Sequence, residues 1–83
     1  MDIFSTLKDL LVKELQVKEE DVKLDALLTE DLGADSLAAM DLILALEEQF
    51  SIDISDKETR RIKTVQDIMN AIEKKLLEKE RAS

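Results

Sequence analysis

The 83-residue chain has no cysteine, histidine, proline, tryptophan or tyrosine, and only one glycine. Without cysteine it can form no disulfide and none of the usual thiolate zinc frameworks. Without histidine it lacks the commonest general base and metal ligand. The missing prolines and scarce glycine remove the main helix breakers, and the aromatic residues are Phe4 and Phe50 alone. Bases are also few, 12 against 20 acids, for a net charge of −8. That balance argues against nucleic-acid binding, which needs a basic face for phosphates. No apolar run approaches the roughly 20 residues of a membrane span. The start, Met1-Asp2-Ile3-Phe4, has no basic segment followed by an apolar core, so no secretory signal is expected. The expectation is a soluble cytoplasmic monomer, or an organellar protein already trimmed.

What is present is Leu, Ile, Val, Ala and Met in a length that suits one small domain with one core. The predicted fold is all-α. It is a four-helix bundle over residues 1–83 with three longer helices, one short helix, and a long loop between the first and second. Ile3, Phe4, Leu7, Leu10, Leu11 and Leu15 recur at three- and four-residue spacing and predict a helix capped by Asp2, with Lys8, Lys13 and Glu14 outside. Residues 16–34 scatter Val17, Val22, Leu24, Leu27, Leu28 and Leu32 among charges, as in a loop that packs its leucines and includes at most a short helical turn.

A second helix is predicted from about Ser36 to Phe50, with Leu37, Met40, Ile43, Leu44, Leu46 and Phe50 as its apolar face. Asp41, Glu47 and Glu48 fall opposite, and the last two oppose the helix dipole. Ser55 and Glu58 fit a capping box for a short third helix, and Thr64 to Asp67 repeats that logic for the last. There Val65, Ile68, Met69, Ile72 and Leu76 keep the helical period, and the charged tail from Glu78 to Ser83 is expected to fray.

Charge is uneven. From Leu24 to Asp56 there are nine acids and no base, so this segment carries −9 and the remainder carries +1. Such a field steers basic partners and rejects acidic ones. Its centre is Asp31-Leu32-Gly33-Ala34-Asp35-Ser36-Leu37, where Gly33 precedes a helical run and Ser36 falls at a loop-to-helix junction.

Three roles compete for Ser36. It can be a helix cap, the commonest use of such a serine. It can be a nucleophile, but there is no histidine, no lysine between Lys23 and Lys57, and no second glycine of a nucleophile elbow. It can be a modification site, because a helix N-terminus tolerates an added phosphodiester and a junction is accessible to an enzyme. Glu30, Asp31 and Asp35 could offer oxygens to a cation, but the EF-hand spacing is absent.

The stretch Glu30-Asp31-Leu32-Gly33-Ala34-Asp35-Ser36-Leu37 resembles the signature of the freestanding acyl carrier proteins. Ala45-Leu46-Glu47-Glu48-Gln49-Phe50 and Ile62-Lys63-Thr64-Val65-Gln66-Asp67 extend the resemblance along the chain. It implies a carrier, not an enzyme. A phosphopantetheinyl transferase would attach 4′-phosphopantetheine from coenzyme A to Ser36, with Asp35 and Leu37 presenting it. Acyl intermediates of fatty acid or related lipid biosynthesis would ride on the arm. Leu37, Met40, Asp41, Glu47 and Glu48 would meet basic docking patches of acyl-transferring and acyl-modifying enzymes. Leu46, Phe50, Ile54, Ile62 and Ile68 would line an acyl pocket, though ordinary core packing explains them equally well.

The chain also departs from that pattern. Ser55 stands where fatty acid carriers have proline, Ala38 where an acid is common, and Lys57, Arg60 and Arg61 where acids run. Pairing of these bases with the second helix would stabilise the fold by about 0–1 kcal/mol per exposed pair. The departures keep open a specialised carrier for polyketide, aminoacyl, D-alanyl or lipid A intermediates. From a different class, a small acidic helical adaptor without a prosthetic group also fits these residues.

Overall fold

The computed structural model describes residues 2–82, with side chains through 80. Its elements are α1 (Ile3–Leu15), α2 (Ser36–Phe50), α3 (Asp56–Arg61) and α4 (Val65–Ala82). The start of each helix is set by a side chain that satisfies orphan backbone N–H groups. Asp2 Oδ1 accepts from the N–H of Phe4 at 3.1 Å and Oδ2 from Ser5 Oγ at 2.8 Å. At α3, Ser55 Oγ accepts from the N–H of Glu58 at 3.2 Å while Glu58 Oε1 accepts from that of Ser55 at 3.4 Å, the reciprocal box expected from sequence. At α4, Thr64 Oγ1 accepts from the N–H of Asp67 at 3.1 Å. Asp67 Oδ2 in return takes the N–H groups of Lys63 at 2.9 Å and Thr64 at 3.1 Å. Those backbone donors hold the Asp67 carboxyl below its ordinary pKa.

The ends are less conventional. Both α1 and α2 stop at a non-glycine residue in the left-handed region, Gln16 and Ser51, each with φ 54°. The last helix continues to Ala82, and Ser83, the end of the tail expected to fray, lies outside the described residues.

The core draws Leu7 and Leu11 from α1, Leu42, Leu46 and Phe50 from α2, and Val65, Ile68 and Ile72 from α4. The long loop adds Val22, Ala26, Leu28, Leu32 and Ala34. It does pack most of its leucines inward, but Leu24 stays 42 % exposed. A 3₁₀ turn at Glu19–Asp21 is held to α1 by Lys8, whose Nζ lies 3.7 Å from Glu19 and 5.1 Å from the Phe4 ring centre. Further on, a single antiparallel bridge between Leu27 and Thr64 joins the loop to the entry of α4. It is flanked by bonds from the N–H of Leu28 to the carbonyl of Lys63 at 2.9 Å and from the N–H of Val65 to that of Ala26 at 3.1 Å.

The expected apolar face of α2 needs correction. Leu46 and Phe50 are buried as predicted, but Leu42 joins them, while Leu37, Met40 and Leu44 face solvent. Residues at 37, 40 and 44 have the same three- and four-residue spacing as a core stripe. In a helix apolar on two sides, periodicity cannot choose which side is buried.

Candidate functional site

Ser36 is the first residue of α2, and the cap is its neighbour. Asp35 holds an extended backbone, and its Oδ1 accepts from the N–H of Ala38 at 2.8 Å. The commonest use of a serine at this position is therefore already filled. Ser36 itself is exposed, and among the described residues its hydroxyl makes no hydrogen bond. Among the described residues no base is hydrogen-bonded to it to activate it as a nucleophile. What it offers is an accessible hydroxyl at the positive end of a helix of 15 residues.

The segment leading to Ser36 is held firmly. The N–H of Leu27 donates to Asp31 Oδ2 at 2.7 Å, and Leu27's carbonyl accepts from Asp31 and Leu32 at 2.9 and 3.1 Å. Leu28's carbonyl accepts from the N–H of Ala34 at 2.8 Å. Leu32 and Ala34 are buried on either side of Gly33, which turns the chain with φ +69°. A Cβ there would meet nothing within 4 Å, so glycine is needed for the left-handed backbone and not for space. Among the described residues, no cluster of acids could hold a metal ion.

Beyond Ser36, α2 presents a stripe in water: Leu37 is 74 % exposed, Met40 61 % and Leu44 58 %. Asp41 and Glu48 are exposed beside it and have no partner among the described residues. Glu47 differs from them. It is half-buried, and its Oε2 accepts from the N–H of Ile54 at 3.0 Å, fixing the link between α2 and α3. The cost of acids near the end of α2 is offset from outside the helix. Lys79 of α4 donates to the carbonyl of Ser51 at 2.8 Å, placing a cation at the negative end.

The predicted pocket residues gather in one place. Leu46, Phe50, Ile54 and Ile68 belong to the core, and Ile62 packs against it half-buried. Among the described residues, the predicted pairing of Lys57, Arg60 and Arg61 with α2 does not occur. Lys8 pairs instead with Glu19 and, at 2.9 Å, Lys75 with Glu58. The second pair lowers the pKa of Glu58 and raises that of Lys75, chiefly through their shared hydrogen bond. Sequence reasoning missed Leu44 as a surface residue and Glu47 as a structural one. The spacing from Leu37 through Met40 could have flagged Leu44, whereas no local signal foretells the bond from Glu47 to Ile54.

Residues 5–72 match the family described as phosphopantetheine attachment site. The acyl carrier protein of Wolinella succinogenes is 47 % identical over 73 residues, covering 88 % of this chain and 96 % of the relative. That of Campylobacter concisus is 43 % identical over 74 residues, covering 89 % and 96 %. Among solved structures, a candidate acyl carrier protein from Mycobacterium tuberculosis superposes with a TM-score of 0.81 at 30 % identity, covering 86 % of this chain and 95 % of that one.

Proposed function

We propose, since this chain belongs to the acyl carrier family marked by the phosphopantetheine attachment site, that Ser36 Oγ is the atom to which its arm is joined. Members of the family are carriers, not catalysts, and bear covalently attached 4′-phosphopantetheine. They interact with phosphopantetheinyl transferases and acyl-handling enzymes. When bound, the arm supplies a terminal thiol that holds acyl groups as thioesters, a sulfur that the chain itself lacks. The observation that carries the assignment to Ser36 is the division of labour at the start of α2. Asp35 caps the helix, and Ser36 is left exposed with an unbonded hydroxyl.

The surrounding residues then take distinct parts. Asp35 fixes the first turn, and the helix N-terminus favours the phosphodiester that modification creates. Leu37 and Met40 offer small apolar anchors, while Asp41 and Glu48 attract basic patches on partner enzymes. Glu47 serves that surface mainly by holding the turn after α2 in place. Leu46, Phe50, Ile54, Ile62 and Ile68 are the core residues that would separate to shelter an acyl chain. We assign the chain, as a single domain over residues 1–83 and a cytoplasmic monomer, to fatty acid or related lipid biosynthesis. The exposed bases of α3 favour a specialised member with its own set of partners.

Intact mass tests the assignment. Wild type and Ser36→Ala are incubated with a broad-specificity phosphopantetheinyl transferase, coenzyme A and Mg²⁺. Wild type alone should gain one phosphopantetheine. An equal gain by the folded alanine variant would remove Ser36 from its role.

A further inference from the structure

α3 is the element whose charge runs against the acidic segment that carries Ser36. Lys57, Arg60 and Arg61 are exposed, and their spacing of three and four places them on one face of the helix. Lys63 is exposed two residues further on. Among the described residues none of the four forms an ion pair. The acid in their midst, Glu58, is already engaged: its Oε1 lies 2.9 Å from Lys75 Nζ on α4 and accepts from Ser55 Oγ at 3.0 Å. Asp56, at the start of α3, is exposed and forms no ion pair among the described residues. Four bases therefore stand against one free acid, and the outward charge of the strip is positive, at the end of the 24–56 segment of nine acids and no base.

The strip is also fixed to the Ser36 unit at both ends. Before α3, the N–H of Ile54 is bonded to Glu47 of α2 at 3.0 Å. After α3, the carbonyl of Lys63 accepts from Leu28 at 2.9 Å, and Leu28's own carbonyl accepts from Ala34, two residues before Ser36. These bases are thereby tied through backbone hydrogen bonds to α2 and to the loop that leads to Ser36. Like charges at helical spacing with no internal partner leave their attraction available to another molecule. An extended anionic surface, such as a duplex or a membrane, would also face the acids of the 24–56 segment, and the net charge of −8 repels it. A compact acidic patch bordered by basic surface suits both sides.

We propose that Lys57, Arg60, Arg61 and Lys63 form a docking surface for an acidic patch on a protein that handles the Ser36 arm. The docking face is then bipartite: basic groups of the partner meet Asp41 and Glu48, and acidic groups meet α3. A partner with a uniformly basic patch is repelled at α3, which is selection by mismatch as well as by fit. This rests on the carrier reading of Ser36 and adds the chemistry of the partner.

The test is an NMR titration of the ¹⁵N-labelled full chain, before and after arm loading, with oligoglutamate and oligolysine peptides. Oligoglutamate should shift the amides of residues 56–63, and oligolysine those of 41–48. Lys57→Gln/Arg60→Gln/Arg61→Gln should weaken the first response about fivefold or more and leave the second unchanged. Arg60→Lys/Arg61→Lys keeps the charge and should keep both responses, which separates charge from folding. Raising salt from about 50 to about 250 mM should weaken both. The proposal is overturned if oligoglutamate leaves the α3 amides unmoved, if the triple glutamine variant responds like wild type, or if phosphatidylglycerol vesicles shift those amides more than oligoglutamate does. Failure of arm loading with an intact α3 response would sink the carrier reading, and with it the arm-handling role of the partner, but not the acidic chemistry of what α3 binds. The converse would sink the docking surface alone.

Discussion

α2 and α4 supply the same core but treat their surfaces differently. α4 buries Val65, Ile68 and Ile72 completely and leaves one large apolar residue, Leu77, more than half exposed. α2 buries Leu42, Leu46 and Phe50 yet keeps Leu37, Met40 and Leu44 in water, in line behind Ser36. A helix that had only to fold would carry polar residues there. α2 therefore has two apolar faces: one holds the bundle together, and the other, exposed, is the face proposed for contact with partners.

Two leucines two residues apart give the largest contrast. Leu46→Ala should cost about 2–5 kcal/mol, since Leu46 has no exposure and a cavity would remain. Leu44→Ala should stay within about 0.5 kcal/mol. Chemical denaturation of both variants checks this, and equal losses would break the division of α2 into two faces. Next come the acids of α2. Glu47→Ala should cost about 1–2 kcal/mol by removing the acceptor of Ile54's N–H. Glu48→Ala should change stability by less than about 0.5 kcal/mol. If instead Glu48→Ala matched Glu47→Ala in thermal unfolding, the structural role of Glu47 would be wrong.

The smallest effect concerns the start of α4, and it depends on pH. Asp67 has a folded pKa below its ordinary 3.8, because it accepts backbone N–H groups that only the folded state supplies. Its contribution is therefore complete above the unfolded value near 3.8 and is lost as pH falls through the lower folded value. Asp67→Asn should be less stable at pH 7 by about 1 kcal/mol or less, and the gap to wild type should close in strong acid. Urea melts at several pH values read that gap. A gap that widened on acidification would contradict a lowered Asp67 pKa in the folded state.

Helix positions were largely legible in the sequence because each start carries its own signal. Asp2, Ser55 with Glu58, and Thr64 with Asp67 all form the caps that their spacing suggests. The position of Ser36 at the junction was legible too, but its relation to the cap was not, since Asp35 and Ser36 are both good caps and only backbone geometry separates them. Which side of α2 is buried could not be read, because both sides follow helical spacing. Long-range contacts were out of reach as well. The pair Lys75–Glu58 and the bond from Lys79 to Ser51 join residues 17 and 28 apart, which no local spacing foretells.

The most direct test of the two-faced α2 is a single variant, Leu37→Gln/Met40→Gln/Leu44→Gln, followed by two readouts on one sample. Glutamine keeps helix propensity close to that of leucine and methionine. The account predicts stability within about 0.5 kcal/mol per site of wild type and a rate of phosphopantetheine loading reduced about tenfold or more. A folded variant loaded at the wild-type rate, or a variant that unfolds as if its core had been cut, would contradict it.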